Sequence, residues 1–120
     1  MVYMNPYQLA IRTILAGQDY VLLITGGEAH IGAVAVSRWD GQAAVTEHLT
    51  LPKHKEGELA RELAGLACSC LQATVTVIAG IHIDNAAKEE ILFIVDEVRA
   101  MVRLELEVLL EQRNRRRLPG

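Results

Sequence analysis

The sequence predicts an α+β fold, in which two helices pack on one side of an antiparallel-rich β-sheet. Three observations predict it. Residues 7–49 hold four short apolar segments joined by short connections, which is typical of hairpins. After Pro52 the apolar residues recur at helical spacing, and a further strand and a long helix follow. The predicted order is therefore ββββαβα, in a chain of 120 residues that suits a single domain spanning residues 1–120.

Alternation and turn residues predict the first four strands. A ragged alternation covers residues 7–14, and residues 20–25 are apolar almost throughout and end at a pair of glycines. Residues 30–38 alternate between two faces. The Asp40-Gly41 turn then leads into a fourth strand over residues 43–49.

The first helix is predicted to begin near Lys55 or Glu56. Its apolar stripe consists of Leu59, Leu63, Leu66, Ala67 and Cys70. We expect Cys70 to be buried on this stripe as a small hydrophobic residue. Cys68 lies two residues away and points in another direction, so a disulfide between the two cysteines is not expected.

The last strand and the last helix follow from a clean alternation and a long apolar pattern. Residues 74–83 place Val75, Val77, Ala79, Ile81 and Ile83 on one face. The helix is predicted from residue 86 to about Arg113, with Asp84 or Asn85 as its N-cap and a flexible basic tail from about residue 113. Its apolar side includes Val98 and Val102 and exceeds what a small sheet can cover. We therefore expect a homo-oligomer, most simply a dimer.

Composition and missing motifs narrow the function classes. A net charge of −3 and 4% aromatic residues argue against a nucleic-acid partner. The chain shows no signal peptide and no uncharged apolar stretch of membrane-spanning length, so we expect a cytoplasmic protein without a membrane partner. Phosphate-binding loops, dinucleotide fingerprints and nucleophile elbows are also missing from the sequence, and nothing in it demands an enzyme.

Three clusters at strand ends and loops carry the candidate ligand-binding residues. They are Gly26, Gly27 and His30 after the second strand, Lys53, His54 and Lys55 before the first helix, and His82, Asp84 and Asn85 after the last strand. Each cluster alone also fits a plain turn, a solvated loop or a helix cap. If the strands lie side by side, all three reach one end of the sheet, where histidines, lysines and a helix N-terminus favour an anionic ligand.

A divalent metal is an alternative ligand for the same region. His30, His54, His82 and Asp84 provide enough donors for zinc or iron. No pair among them has a strong chelating spacing, so the sequence does not favour the metal over an organic ligand.

Three motifs, in their order and spacing, resemble the LpdD-like family of prenylated-flavin chaperones. They are GGEAHIG at residues 26–32, PKHKE at residues 52–56 and AGIHIDNA at residues 79–86, and the similarity runs over roughly residues 22–95. The resemblance implies an assembly-chaperone-like architecture and a non-enzymatic accessory protein. Such a protein would bind or deliver prenylated FMN to a reversible aromatic-acid decarboxylase, or stabilise that enzyme. The flavin prenyltransferase and the decarboxylase would be its partners.

The resemblance also suggests roles for the clustered residues. Lys53, Lys55 and the N-terminus of the last helix would take the flavin phosphate, and the three histidines would hydrogen-bond the polar edge of the ring. Trp39 is the one obvious residue for ring stacking. Two other functions stay open: a small metal-dependent enzyme that uses the histidines and Asp84, and a dimeric assembly factor that needs no cofactor.

Overall fold

A computed structural model describes residues 5–52 and 54–117, which form five strands and two helices. The elements are β1 (Ala10–Ala16), β2 (Asp19–Gly27), β3 (Ala33–Trp39), β4 (Ala44–Thr50), α1 (Gly57–Leu71), β5 (Val75–His82) and α2 (Lys88–Arg117). This order confirms the predicted ββββαβα arrangement. The strand starts differ from the predicted ones by up to three residues, most visibly at β3, which begins at Ala33 and leaves His30 in the preceding loop.

The five strands form one sheet in the order β1-β2-β5-β3-β4. The pairs β1–β2, β3–β4 and β3–β5 are antiparallel, and only β2–β5 is parallel. The prediction of consecutive hairpins is therefore wrong at one place, because β5 lies between β2 and β3. A strand that is apolar at nearly every position is most stable in the middle of a sheet. The loop over residues 28–32 spans the resulting gap of about 10 Å, twice the strand spacing.

One hydrophobic core lies between the sheet and the two helices. Alternate residues of the three central strands face it, and Leu22, Val77 and Ala35 are all fully buried. The face predicted for the last strand is confirmed, since Val75, Val77 and Ala79 have no exposed surface. The smallest dimension of the molecule is 20 Å, which fits one sheet and one layer of helices. The helices therefore pack on one side of the sheet, as predicted.

Helix α1 buries a different stripe from the predicted one. Its buried residues are Gly57, Ala60, Leu63, Ala64, Ala67, Cys68 and Leu71. The expectation for Cys70 was wrong, because Cys70 is exposed and Cys68 is fully buried. The small alanines allow the helix to approach the sheet closely, so Leu59 and Leu66 pack only partly at the flank. Both cysteines are free, as their spacing predicted.

Helix α2 begins later than predicted, so neither Asp84 nor Asn85 is its N-cap. Asn85 has a left-handed backbone with φ of 55° and belongs to the turn before the helix. The carbonyl of Ala87 accepts the first helical hydrogen bond, from the N–H of Ile91 at 3.0 Å. The N–H of Ala87 in turn donates to the carboxylate of Glu90 at 3.2 Å. This second bond is half of a capping box.

The other end of α2 continues to Arg117, through the segment predicted to fray from about Arg113. Two contacts hold it. The Arg113 guanidinium donates to the carbonyl of Leu71 at the end of α1, and Arg115 pairs with Glu111 one turn earlier. Packing against α1 therefore extends the helix beyond the point where its apolar pattern weakens.

The apolar side of α2 is divided between the core and the surface. Its buried residues are Ile94, Val98, Val102, Leu106 and Leu109. Val98 and Val102 thus belong to the molecule's own core and are not available to a partner, contrary to the sequence-based expectation. In the part of the chain that the structure describes, neither helix combines the length and hydrophobicity needed to cross a membrane.

Candidate functional site

The three predicted clusters meet at one edge of the sheet. Strands β2 and β5 are parallel, so their C-terminal ends lie side by side, with Gly27 paired in register with His82. The loop before β3 and the loop before α1 close over the same edge. We call this region the histidine edge and define it by His30, His54, Glu56, His82 and Asp84.

Two histidines and a glutamate form its half-buried centre. His30 Nε2 lies 3.1 Å from His54 Nδ1 and 3.4 Å from Glu56 Oε1. His54 Nδ1 lies 3.8 Å from Glu56 Oε2. The rings of the two histidines are also stacked with a tilt, at a centroid distance of 4.7 Å. The three residues come from two loops and the N-cap position of α1, and they lie up to 26 positions apart in the sequence.

Glu56 is the residue that the sequence analysis missed. The sequence placed it only at the start of α1, yet its side chain is 12% exposed and turns toward the two histidines. The backbone N–H groups of Lys55 and Ile81 donate to its carboxylate at 3.1 and 3.4 Å. A Cβ at position 32 would overlap this carboxylate, so Gly32 keeps the space open. Because glutamates are common in the first turn of any helix, only the fold could distinguish this one.

A second pair lies on the exposed side of the edge. His82 Nε2 and Asp84 Oδ1 are 2.8 Å apart, and both side chains are mostly in solvent. The ring of His82 stands edge-on to that of His30 at 6.2 Å. The four histidine and aspartate ligands considered from the sequence thus fall into two groups. His30 and His54 join Glu56, whereas His82 and Asp84 join Glu28.

The paired glycines have a backbone role at this edge. Gly27 has φ of 60°, and a side chain there would overlap the carbonyl oxygen of His82. Its N–H donates to the carbonyl of Tyr7 at 2.6 Å. Gly26 is buried, and a Cβ there would lie 2.7 Å from the side chain of Leu9. These contacts account for both glycines, and their contact with a ligand stays a prediction.

The remaining candidates lie at the rim or outside the described residues. Lys55 is exposed beside α1, and Asn85 is exposed in the left-handed turn after β5. Lys53 lies outside the residues that the structure describes. The fold thus brings together His30, His54 and His82, with Asp84 next to His82.

Two neighbouring cavities open at this edge. A cavity of about 210 Å³ is lined mainly by residues with titratable side chains, namely Glu28, Ala29, His30, His54 and His82. A more apolar cavity of about 170 Å³ is lined by Lys55, Glu56, Leu59, Ile81, Ile83, Ala86, Ile91, Ile94 and Val95. Glu56 lines the second cavity and contacts two histidines of the first. Trp39 lines neither of them; it borders an open cleft along α1.

Comparison with known proteins gives the family. A family model described as the prenylated flavin chaperone LpdD-like domain matches residues 4–110, nearly the whole chain. The chain belongs to the LpdD-like family. This confirms the resemblance seen in the three motifs, and all three lie inside the matched range of the LpdD-like domain.

Other comparisons of the LpdD-like chain concern its fold alone. A chain from a chaperone complex for yeast 20S proteasome assembly is similar to it in structure, with a TM-score of 0.49 and 12% sequence identity. The alignment covers 82% of this chain and 97% of the yeast chain. No curated protein sequence matches the LpdD-like chain significantly.

Proposed function

We propose that this LpdD-like protein binds prenylated FMN at the histidine edge and acts as an accessory protein to a reversible aromatic-acid decarboxylase. It would receive the cofactor made by a flavin prenyltransferase and deliver it to the decarboxylase, or stabilise that enzyme. Membership of a prenylated flavin chaperone family supports this role. The observation that carries it is the meeting of three histidines beside an apolar cavity at one sheet edge. The cofactor supplies the decarboxylation chemistry when it is bound to the enzyme; this chain supplies binding and protection.

The two cavities fit an amphiphilic ligand. Each is smaller than the roughly 300 Å³ at which small-molecule sites begin, so a flavin would have to occupy both. The isoprenoid-derived ring suits the cavity that Ile81 and Ile83 line. The polar edge of the flavin suits the cavity of His30 and His82, whose imidazole nitrogens either donate or accept hydrogen bonds.

The phosphate is best placed near Lys55, with Lys53 two positions earlier in the sequence. The N-terminus of α2 is a weaker candidate than the sequence suggested, because Glu89 and Glu90 already lie in its first turn. Their negative charges oppose a second anion there. Gly27, Asp84 and Asn85 would then form the rim of the site, and the buried Gly26 would hold the backbone next to it.

A thermal-shift titration tests flavin binding. Wild type, His82→Ala and the control His48→Ala are each titrated with prenylated FMN and with FMN. His48 is a good control because it is exposed on β4, outside the histidine edge. At a hundredfold excess over the dissociation constant, one site stabilises the fold by about 2.7 kcal/mol. We expect a clear shift in wild type and in His48→Ala, and a weaker one in His82→Ala.

No shift with either flavin would refute cofactor binding and would favour an assembly factor that needs none. Equal shifts in all three proteins would move the site away from His82. Because His82 is mostly exposed, its replacement does not threaten the core, and a weaker shift reports on binding.

We further propose that the protein is a homodimer whose second copy covers the open face of the sheet, the face that points away from the helices. Five strands, each about 20 Å long, form a flat area of roughly 500 Å². The side chains that project from it add to its accessible surface. Its apolar side chains are Ile14, Val21, Leu23, Val34, Val36, Val45, Leu49 and Ile78. The area of this patch lies in the range that marks interaction sites. With the surface of the projecting side chains included, it approaches the area that each partner buries in a stable dimer.

Charge on the open face also suits a second copy of the same chain. Arg38 and Glu47 both lie on it, next to Val36 and Val45. A two-fold axis through the face can place the arginine of one copy opposite the glutamate of the other. The exposed apolar residues of α2, such as Leu104, are spread along the outer side of one helix and offer a narrower contact.

A further inference from the structure

We infer that His30, His54 and Glu56 form a binding site for a first-row divalent transition metal, with zinc as the best-suited ion. The carrying observation is a triangle of potential ligand atoms. His30 Nε2, His54 Nδ1 and the Glu56 carboxylate lie 3.1, 3.4 and 3.8 Å from one another. A tetrahedral zinc ion with bonds of about 2.0–2.1 Å separates its ligand atoms by about 3.3 Å. The three groups therefore already have the spacing that such an ion requires.

A second interaction sets the tautomer of His30 that a metal needs. His30 Nδ1 lies 3.1 Å from the backbone carbonyl of Glu28. A carbonyl only accepts, so Nδ1 carries the hydrogen and the lone pair of the neutral ring is on Nε2. Nε2 is the atom that faces His54 and Glu56. This outer hydrogen bond is the usual support of a metal-binding histidine.

The electrostatics of Glu56 favour a bound cation. Its carboxylate is 12% exposed, and in residues 5–52 and 54–117 no lysine or arginine side chain pairs with it. Two backbone N–H groups and two imidazoles are its neighbours. A largely buried carboxylate is costly unless a positive charge compensates it. A divalent ion between Glu56 and the histidines supplies that charge.

Three protein ligands leave one coordination position free. Two of the three ligands, His30 and His54, line the cavity of about 210 Å³, which His82 also lines. Open three-ligand sites hold water or an exogenous donor in the fourth position. Two nitrogens and one carboxylate suit zinc, or iron in a site with more open positions, and disfavour Mg²⁺. The metal site is proposed independently of flavin binding, so one of the two proposals can be refuted while the other stands.

Metal binding is tested on the full chain after treatment with a chelator. Wild type, Glu56→Gln, His30→Ala and the control His48→Ala are titrated with Zn²⁺ against a chromophoric indicator, and with Mg²⁺ as a control ion. We expect about one Zn²⁺ per chain in wild type and in His48→Ala, and at least a tenfold weaker affinity in Glu56→Gln and His30→Ala. Co²⁺ in wild type should give the intense visible absorption of a tetrahedral site.

Glu56→Gln preserves the size of the side chain but accepts only one of the two backbone hydrogen bonds that the Glu56 carboxylate accepts. Its thermal unfolding is therefore measured alongside, so that loss of a ligand is separated from loss of fold. His54→Ala is the second variant if His30→Ala does not fold. The proposal is overturned if wild type binds no Zn²⁺ at stoichiometric concentration, or if all variants bind it equally. To keep the two tests separate, the flavin titration is also run in the presence of chelator, where a missing metal site leaves its outcome unaffected.

Discussion

The two cysteines of α1 offer a sharp test of how this helix sits on the sheet. Cys68 is fully buried and Cys70 is exposed, although they are two residues apart on the same helix. Replacing each with serine makes the same chemical change, sulfur to oxygen, in two opposite environments. Cys68→Ser places a hydroxyl in the core, whereas Cys70→Ser places it in water.

The size of the difference follows from burial. A hydroxyl buried without a full set of partners costs about 1–3 kcal/mol. In a helix it can donate to the carbonyl four residues earlier, here that of Ala64, so the lower part of that range applies. We expect Cys68→Ser to lower the free energy of unfolding by about 1–2 kcal/mol. Cys70→Ser should change it by less than about 0.5 kcal/mol.

Thermal unfolding at a fixed protein concentration measures this difference. For 120 residues the entropy of unfolding is about 0.25 kcal/mol/K, so 1–2 kcal/mol lowers the Tm by about 4–8 °C. A thiol reagent provides a second readout. The single thiol left in Cys68→Ser should react quickly in the native state, and the one left in Cys70→Ser should be protected. Equal Tm values, or the reverse order of reactivity, would refute the orientation of α1.

Three further predictions concern the edge, the helix pair and the open face. Gly27→Ala should destabilise the fold by about 1–3 kcal/mol in urea titrations, because φ at this position is positive and the new Cβ overlaps the carbonyl of His82 in β5. An unchanged stability would contradict the role of Gly27 in the backbone at this edge. Arg99 donates hydrogen bonds of 2.7 and 2.8 Å to the carboxylate of Glu62, and these hold the pKa of Glu62 below its usual value. The pair therefore stabilises the fold at pH values above the pKa that Glu62 has in the unfolded state. This stabilisation is lost as the pH falls through the lower pKa of the folded state. Both groups are more than a third exposed, so Glu62→Gln should cost under about 1 kcal/mol at pH 7, and the difference from wild type should vanish in acid; a difference that persists there would point to packing instead. Val36→Lys on the open face should convert the proposed dimer to a monomer in light scattering, whereas Leu104→Lys on α2 should not; the opposite pattern would place the interface on the helix.

The sequence by itself determined the element order and much of the core. Alternation over residues 74–83 identified the buried face of β5, and the change of period after Pro52 located α1. These predictions succeed because periodicity reflects which side of an element meets the core. The three motifs also predicted the LpdD-like family, and the match over residues 4–110 confirms it.

The spacing of apolar residues predicted burial less well where several elements pack against the same surface. The predicted stripe of α1 included Leu59 and Leu66, which the structure buries only in part, and it left out the buried Ala60 and Ala64. Sequence periodicity gives the direction of an apolar side but not how closely a neighbour approaches it. Val98 and Val102 show the same limit, because they are buried in the chain's own core and not by a partner.

Only the tertiary structure decided the composition of the site. Placing β5 parallel to β2 brings His82 beside the glycine turn, and the loop that crosses over β5 brings His30 to His54. Glu56 joins them because the cap of α1 ends at this same edge. Strand order is set by competition among whole elements for the centre of the sheet, a choice made over the entire chain. No local spacing encodes it, and the sequence could therefore name the histidines but not the carboxylate between them.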